Sequence, residues 1–290
     1  MVNAAADGLL VVIVLYNCPP EKSPAVQEIC RAAQLYSGPM SLLLYDNSPR
    51  SAATLKPVPN LNVVYQHDKH NSGVGRAYNQ GAELAVKNGL KLMLLLDQDT
   101  HPVQGYLAIF HQHREENPWC RLFAPILQDK EITVSPFVWK WGRGRPLREP
   151  PVPGSYDFKN RALANSGLFV AVNYFNRVGG YTEEIGLDFA DIDFCMKAAD
   201  IGEKFVLLPV SLEHNLSALF GNDADAVMIR LTRYIRSARI FAERHGQVWP
   251  VGLRLAVKAL QLAIKFRMSQ FLTIYINEFF NRRGHQKDVG

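Results

Sequence analysis

The chain has 290 residues, of which 48% are hydrophobic and 20% charged, and this balance predicts a large buried core and excludes an intrinsically disordered protein. The four cysteines are scattered and form no CxxC pair, which argues against a zinc cluster or a disulfide framework and favours a reducing cytoplasm. The net charge of +5 favours phosphate groups or an anionic membrane surface as partners, and no uncharged apolar stretch is long enough to predict a membrane span.

Strands and helices alternate through the first hundred residues. Apolar runs predict strands at 9–15, 41–45, 61–65 and 92–96. The runs at 9–15 and 92–96 are continuous, as expected of strands buried on both faces. Helices are predicted from the Ser23-Pro24 start to a stop at Gly38-Pro39, and from about Val74 to Asn88. This alternation predicts an α/β fold with a mainly parallel, doubly wound sheet.

A polar side chain follows each of these four strands: Asn17, Asp46, Asn71 and Asp97 in chain order. In a parallel sheet these positions lie at one edge, where open α/β sheets bind ligands. No glycine follows the first strand, which disfavours a Rossmann dinucleotide site.

Two carboxylates, Asp97 and Asp99, follow the fourth strand with Gln98 between them. Carboxylates about 4 Å apart repel by roughly 4 kcal/mol at an effective dielectric of about 20, and Mg²⁺ or Mn²⁺ would relieve that repulsion. The alternative interpretation is an acidic turn in which Asp99-Thr100 caps a helix.

The segment Gly73-Val74-Gly75-Arg76 opens the second helix and also allows two interpretations. It predicts either a tight helix start with close packing at Gly75, or a ligand site in which Asn71 and Arg76 lie beside a bound group at the helix N-terminus.

In the second half, a helix from Thr100 to about Glu116 and a strand near 121–127 precede an irregular, proline-rich stretch at 129–161. This stretch contains Trp139 and Trp141 and is either a lid that binds an acceptor or a tolerated insertion. A strand at 162–170 follows, and its small residues at Ser166-Gly167 would let a ligand pass close to the backbone.

Three aspartates, Asp188, Asp191 and Asp193, mark the start of a further helix. They either complement the helix dipole, or one of them is a general base. A last strand at 204–209 precedes His214, which is predicted in a polar loop as a structural residue or a metal ligand.

Two basic helices are predicted after residue 222. The first, from Asp223 to His245, presents arginines that are either a solvated face or a phosphate-binding face. The second runs from Trp249-Pro250 to about Phe280 and carries a stripe formed by Arg254, Lys258, Gln261 and Lys265. That stripe predicts in-plane membrane association or, alternatively, a homodimer or domain-docking contact.

The ordered motifs resemble the inverting family 2 glycosyltransferases of the GT-A fold, in particular bacterial rhamnosyltransferase-like members that build surface polysaccharides. The resemblance covers about 9–221 and rests on 14–17, 46–48, 71–81, 97–99, 165–167, 191–195 and His214. It implies a GT-A catalytic domain at 1–221, with a nucleotide-binding half at about 1–100 and an acceptor half at about 101–221, followed by helices at 222–290.

The resemblance also implies roles for individual residues. The implied nucleotide and donor residues are Tyr16, Asn17, Asp46, Asn71, Arg76, Asp97 and Gln98. Asp99 would hold Mg²⁺ or Mn²⁺, with His214 and Asp97 as further ligands. Asp191 stands where the family has its catalytic base, but Ala190 replaces the glutamate frequent there, so Asp193 and Asp188 stay as competitors. The acceptor region would include Asn165, Ser166, Gly167, Trp139 and Trp141.

The implied reaction is metal-dependent transfer of a sugar, with inversion, to a growing cell-surface polysaccharide or lipid-linked glycan. The preferred candidate for the donor is dTDP-L-rhamnose, and the alternative is a UDP-sugar. Nucleic acid is not an expected partner. The implied location is the cytoplasm, at the inner face of the plasma membrane. A non-catalytic nucleotide-sugar sensor is the main rival. An aspartate-nucleophile phosphatase is disfavoured because His101 occupies the fifth position of its motif.

Overall fold

The computed structural model describes residues 7–36, 38–51, 56–186, 188–214 and 222–280. The strands are β1 Leu9–Leu15, β2 Met40–Asp46, β3 Asn62–His67, β4 Leu92–Asp97, β5 Thr100–His101, β6 Leu122–Asp129, β7 Ile132–Ser135, β8 Phe137–Lys140, β9 Arg143–Pro146, β10 Gly154–Asp157, β11 Arg161–Ala162, β12 Leu168–Ala171 and β13 Lys204–His214. The helices are α1 Pro24–Ala33, α2 Val74–Lys87, α3 Tyr106–Glu116, α4 Val172–Val178, α5 Ala190–Asp200, α6 Ala224–Arg244, α7 Val248–Phe266 and α8 Gln270–Phe280.

The large sheet has the strand order β10-β13-β6-β12-β4-β1-β2-β3. β1 pairs in parallel with β2 and β4, and β2 pairs in parallel with β3, so the doubly wound half is as predicted. β12 runs antiparallel to both β4 and β6, which makes the other half of the sheet mixed. Buried aliphatic side chains cover both faces of the central strands.

The segment after Asp99 differs from the sequence prediction. Thr100 lies in the short strand β5 and pairs with His214, and the helix begins only at Tyr106, after Gly105 with its φ of 81°. The interpretation of Asp99-Thr100 as a helix cap is therefore wrong. His214 ends strand β13 and does not lie in a polar loop.

The proline-rich stretch at 129–161 is not irregular. It contains β7, β8, β9 and β10, and β8 joins β9 and β11 in a separate antiparallel sheet of three strands. These strands have four residues or fewer, too short for alternation to predict them. The strand predicted at 162–170 divides into β11 and β12 around the loop that holds Asn165.

The last helix predicted from the sequence is two helices, α7 and α8. Arg267 ends α7 in the left-handed region, with a φ of 55°. α6 and α7 share a hydrophobic cluster with the sheet domain, and the predicted boundary at residue 221 lies outside the described residues. Among the described helices, none combines the length and apolar character needed to span a membrane.

Candidate active site

Three side chains with metal-binding atoms meet at the ends of β4 and β13. One ligand atom each from Asp97, Asp99 and His214 lies within 4.8 Å of the others. His214 Nδ1 is 3.7 Å from Asp99 Oδ1 and 3.0 Å from the Thr100 hydroxyl. The pairing of β5 with β13 therefore brings the histidine to the carboxylates. Two carboxylates and one imidazole suit Mn²⁺ or Mg²⁺ with positions left for phosphate oxygens.

Asp97 is held from two sides. Its N–H donates to Ser166 Oγ at 2.9 Å, and the Tyr78 hydroxyl donates to its Oδ1 at 3.2 Å. Burial raises the pKa of the Asp97 carboxyl, His214 opposes this shift and the charge of Asp99 adds to it. A cation between Asp97 and Asp99 would favour their ionised forms.

Gln98 joins the ends of β4 and β1. Its Oε1 accepts from the Tyr16 N–H at 2.7 Å, and its Nε2 donates to the Tyr16 carbonyl at 3.2 Å. The Ser23 hydroxyl donates to the Gln98 carbonyl at 2.6 Å. The Gln98 amide thus fixes the Tyr16 backbone in this structure, and the Tyr16 side chain lies exposed above the sheet edge.

Asp46 stabilises the loop that follows β2. It is fully buried, and it accepts from the Ser48 N–H at 2.9 Å and from the Tyr65 hydroxyl at 2.5 Å. The Asn17 N–H donates to Ser48 Oγ at 2.8 Å, and the Asn17 side chain is exposed. In this conformation, Tyr16 and Asn17 are the residues a nucleoside could reach, whereas Asp46 positions their loop.

Asn71 and Arg76 flank the start of α2. Asn71 is exposed and has a φ of 51°. Arg76 Nη1 pairs with Glu183 Oε2 at 2.9 Å. A Cβ added to Gly75 would lie 3.2 Å from the Tyr181 Cβ, so the close-packing interpretation holds for Gly75. The Arg76–Glu183 ion pair joins the start of α2 to the segment that precedes α5.

Asp191 lies in the first turn of α5 and faces Asn165. The Asn165 amide donates to Asp191 Oδ1, and its backbone N–H donates to Oδ2 at 3.3 Å. The Tyr181 hydroxyl donates to Asn165 Oδ1 at 2.5 Å and so fixes the amide orientation. Burial, followed by the nearby charge of Asp97, raises the pKa of Asp191 to about 8.

The two competing aspartates are paired with cations. Asp193 is 0% exposed and contacts Lys197 at 3.0 Å and His245 at 2.9 Å. Burial alone would raise the pKa of Asp193, but the His245 hydrogen bond and the Lys197 ammonium lower it to about 2. Asp188 pairs with Arg230 at 2.7 Å. Asp191 differs from both, since its described hydrogen bonds come from Asn165 and not from a cationic side chain.

The remaining predicted acceptor residues have mixed positions. A Cβ on Gly167 would lie 2.5 Å from Pro125 Cγ, so Gly167 allows close packing there. Ser166 is buried, and its hydroxyl bonds the Asp97 N–H and the Thr100 hydroxyl. Trp139 is buried edge-on against Phe189 and Phe241, whereas Trp141 is exposed. Ser166 and Gly167 therefore have contacts within the protein, and their place beside an acceptor stays a prediction.

Sequence reasoning missed three supporting hydroxyl groups, those of Tyr78, Tyr181 and Thr100. Tyr78 lies within the glycine-rich motif, about one helical turn after Gly75. This position in the motif could have indicated that its side chain belongs to the site. Tyr181 reaches Asn165 through the fold alone, and Thr100 was predicted in a helix. Their roles depend on contacts between segments that are distant in the chain.

No protein-family model matches the sequence. The dTDP-rhamnosyl transferase RfbF of Shigella flexneri is 21% identical over 140 residues, which are 48% of this chain and 47% of that protein. The chain thus matches about half the length of this curated relative.

Solved structures match over most of the chain. GalNAc-T7 with UDP, GalNAc and Mn²⁺ has a TM-score of 0.59 at 14% identity, covering 93% of this chain and 56% of the other. Residues 1–349 of S. aureus TarS in complex with UDP-GlcNAc have a TM-score of 0.55 at 13% identity, covering 94% and 81%. These matches show that the chain has the GT-A glycosyltransferase fold that the motifs predict.

Proposed function

We propose that the protein is a metal-dependent glycosyltransferase that moves a sugar, with inversion, from a nucleoside diphosphate donor to a glycan or lipid-linked acceptor. The observation that carries this proposal is that Asp97, Asp99 and His214, which could hold a metal ion, lie near the carboxylate of Asp191. The Asp97 N–H donates to Ser166, the neighbouring Asn165 donates to Asp191, and burial, followed by the charge of Asp97, raises the pKa of Asp191. These contacts support a site in which both carboxylates act on one substrate.

The donor side of the proposal rests on exposure and chemistry. Tyr16 and Asn17 would contact the nucleoside, and Asp97, Asp99 and His214 would hold Mg²⁺ or Mn²⁺. When bound, such a cation stabilises the negative charge on the leaving diphosphate. dTDP-L-rhamnose is the first donor candidate because the curated relative is a dTDP-rhamnosyl transferase, and a UDP-sugar is second because the structural neighbours hold UDP or UDP-GlcNAc.

The acceptor side of the proposal rests on Asp191. Its ionised carboxylate would take the proton of the acceptor hydroxyl as that oxygen attacks the anomeric carbon from the side opposite the diphosphate. Asn165 would hold both carboxylate oxygens in place, with its own amide fixed by Tyr181. Direct displacement inverts the anomeric configuration.

A thermal-shift screen tests this function. The full chain is melted with dTDP, UDP, dTDP-L-rhamnose and UDP-sugars, with and without Mn²⁺. A ligand at about 100 times its Kd stabilises the folded state by about 2.7 kcal/mol, so a Mn²⁺-dependent rise in Tm is expected for one nucleotide series. ATP with Mn²⁺ is the control; an equal rise with ATP, or none with any sugar nucleotide, would refute the proposed donor class.

Asp99→Asn is expected to weaken Mn²⁺ binding at least about tenfold, because a hard cation loses a charged oxygen ligand. Free Mn²⁺ can be measured by electron paramagnetic resonance during titration of the protein. Asp225→Asn, at an exposed position in the first turn of α6, is the matched control. Equal Mn²⁺ affinity in the wild type and in Asp99→Asn would remove Asp99 from the metal site.

A further inference from the structure

α7 presents a row of large apolar side chains to solvent. Trp249 is 88% exposed, Leu253 69% and Ile264 70%, and Val257 and Leu260 complete the row at helical steps of three and four residues. The opposite side of α7 is buried in the protein through Val251, Leu255, Ala259 and Leu262. The exposed apolar row therefore lies on the side of α7 that does not pack against the rest of the protein.

The insertion adds a second exposed tryptophan to this surface. Trp141, at the turn between β8 and β9, is 71% exposed, and its carbonyl accepts from Arg254 Nε of α7 at 2.8 Å. A Cβ on Gly142 would lie 3.0 Å from the Val251 backbone nitrogen. This close contact fixes the β8–β9 turn against the first turn of α7, beside Trp249. The structure thus joins two regions that are a hundred residues apart in the chain.

The charge on the combined surface is of one sign. α7 has no acidic residue, and its cations are Arg254, Lys258 and Lys265. Every residue of β9 is exposed, including Arg143 and Arg145, and the segment 141–148 also has no acidic residue. An apolar row with tryptophans at one end and cations alongside matches the interface of an anionic bilayer, where aromatic rings lie at headgroup level.

We propose that α7 and the β8–β9 turn together dock in the plane of an anionic membrane surface. A second copy of this chain is a poorer partner for the same face, because a twofold contact would bring the cationic rows of both copies close together. The apolar row would enter the headgroup and acyl boundary, and the arginines of β9 would contact lipid phosphates.

Docking would also orient the candidate active site. β8 carries Trp139 into contact with Phe189, two residues before Asp191. The acceptor half would therefore be held close to the lipid surface, as a lipid-linked acceptor requires. This consequence rests on the proposed function, whereas membrane binding itself does not.

Vesicle co-sedimentation of the full chain, without donor or metal, tests the proposal. The probes are phosphatidylcholine vesicles with and without about one third phosphatidylglycerol. Binding is expected only to the anionic vesicles, and high salt should weaken it. Because no sugar nucleotide is present, failure here is distinguishable from failure of the glycosyltransferase proposal.

Two double variants separate the apolar and the charged contributions. Leu253→Ser with Ile264→Ser, and Arg143→Gln with Arg145→Gln, are each expected to weaken vesicle binding on the order of tenfold. The controls are Leu35→Ser, at an exposed apolar position on the turn after α1, and Lys56→Gln with Lys87→Gln, which remove two exposed charges elsewhere. Far-UV circular dichroism and melting temperature confirm that each variant is folded.

Three outcomes would overturn the proposal. The first is no binding to anionic vesicles, and the second is binding that the α7 and β9 variants leave unchanged. The third is a concentration-dependent dimer, seen by light scattering, that Leu253→Ser with Ile264→Ser dissociates while vesicle binding stays as in the wild type. That third result would assign the face to a second copy of the chain.

Discussion

Asp191→Asn is expected to lower kcat at least about 10²-fold while donor affinity changes little, the scale associated with loss of a general base. The carboxylate is held by two hydrogen bonds from Asn165. The asparagine keeps the size of the side chain and removes its basicity. Donor affinity should be retained because the proposed metal and nucleoside contacts lie on other residues.

The measurement is a steady-state transfer assay combined with donor titration by calorimetry. Asp200→Asn, at the exposed end of the same helix, is the matched control and should leave kcat unchanged. If Asp188→Asn lowers kcat with intact donor binding and Asp191→Asn does not, then the base is Asp188 and the assignment to Asp191 is wrong.

The same carboxylate predicts a pH dependence. Only ionised Asp191 can accept a proton, and burial, followed by the charge of Asp97, raises its pKa to about 8. The transfer rate should therefore rise with pH as Asp191 loses its proton. A bound cation beside Asp97 and Asp99 would move this rise to lower pH, because positive charge favours the carboxylate. A pH profile of kcat/KM for wild type that matches that of Asp191→Asn in shape would contradict this assignment.

Asp193→Asn is expected to lower the free energy of unfolding by about 3–5 kcal/mol, because removing one partner leaves buried charge uncompensated. Asp193 is fully buried, and its carboxylate accepts from Thr182 at 2.8 Å in addition to its contacts with Lys197 and His245. His245 follows α6, so the carboxylate joins the C-terminal helices to α5.

Urea denaturation at pH 7 measures this effect, with Asp200→Asn as the exposed control. Because the folded-state pKa of Asp193 is about 2, below the ordinary 3.8, its contribution is present above about pH 4 and is lost as the pH falls toward 2. The difference between wild type and Asp193→Asn should shrink over that range. A loss below about 1 kcal/mol at pH 7 would contradict the structural role.

The strand ends of the parallel half could be predicted from the sequence because their signals are local. β1, β2 and β4 are continuous aliphatic runs, and Asp97 and Asp99 follow β4 directly. Parallel pairing then places these ends at one edge, as the structure shows. The meeting of Asp97, Asp99 and His214 is the main part of the candidate site that this reasoning anticipated.

Other features depend on contacts that no local pattern reports. The separate roles of Asp191 and Asp193 depend on their partners: Asn165 holds Asp191, while His245, 52 residues away, holds Asp193. The glycine at position 167 suggests an open space in the sequence, but the side chain of Pro125 occupies the space where a Cβ would lie. The break between α7 and α8 occurs at Arg267, which has a positive φ. Arginine has no preference for positive φ, so the sequence does not predict this break.

The most direct test of the central claim is calorimetric titration of dTDP and UDP into the full chain, with and without Mn²⁺. We expect one of them to bind with Mn²⁺, chelation to weaken that binding at least about tenfold, and Asp99→Asn to reproduce the loss without chelator. Failure of both nucleotides to bind in the presence of Mn²⁺, or binding of equal strength with and without the metal and in Asp99→Asn, would contradict it.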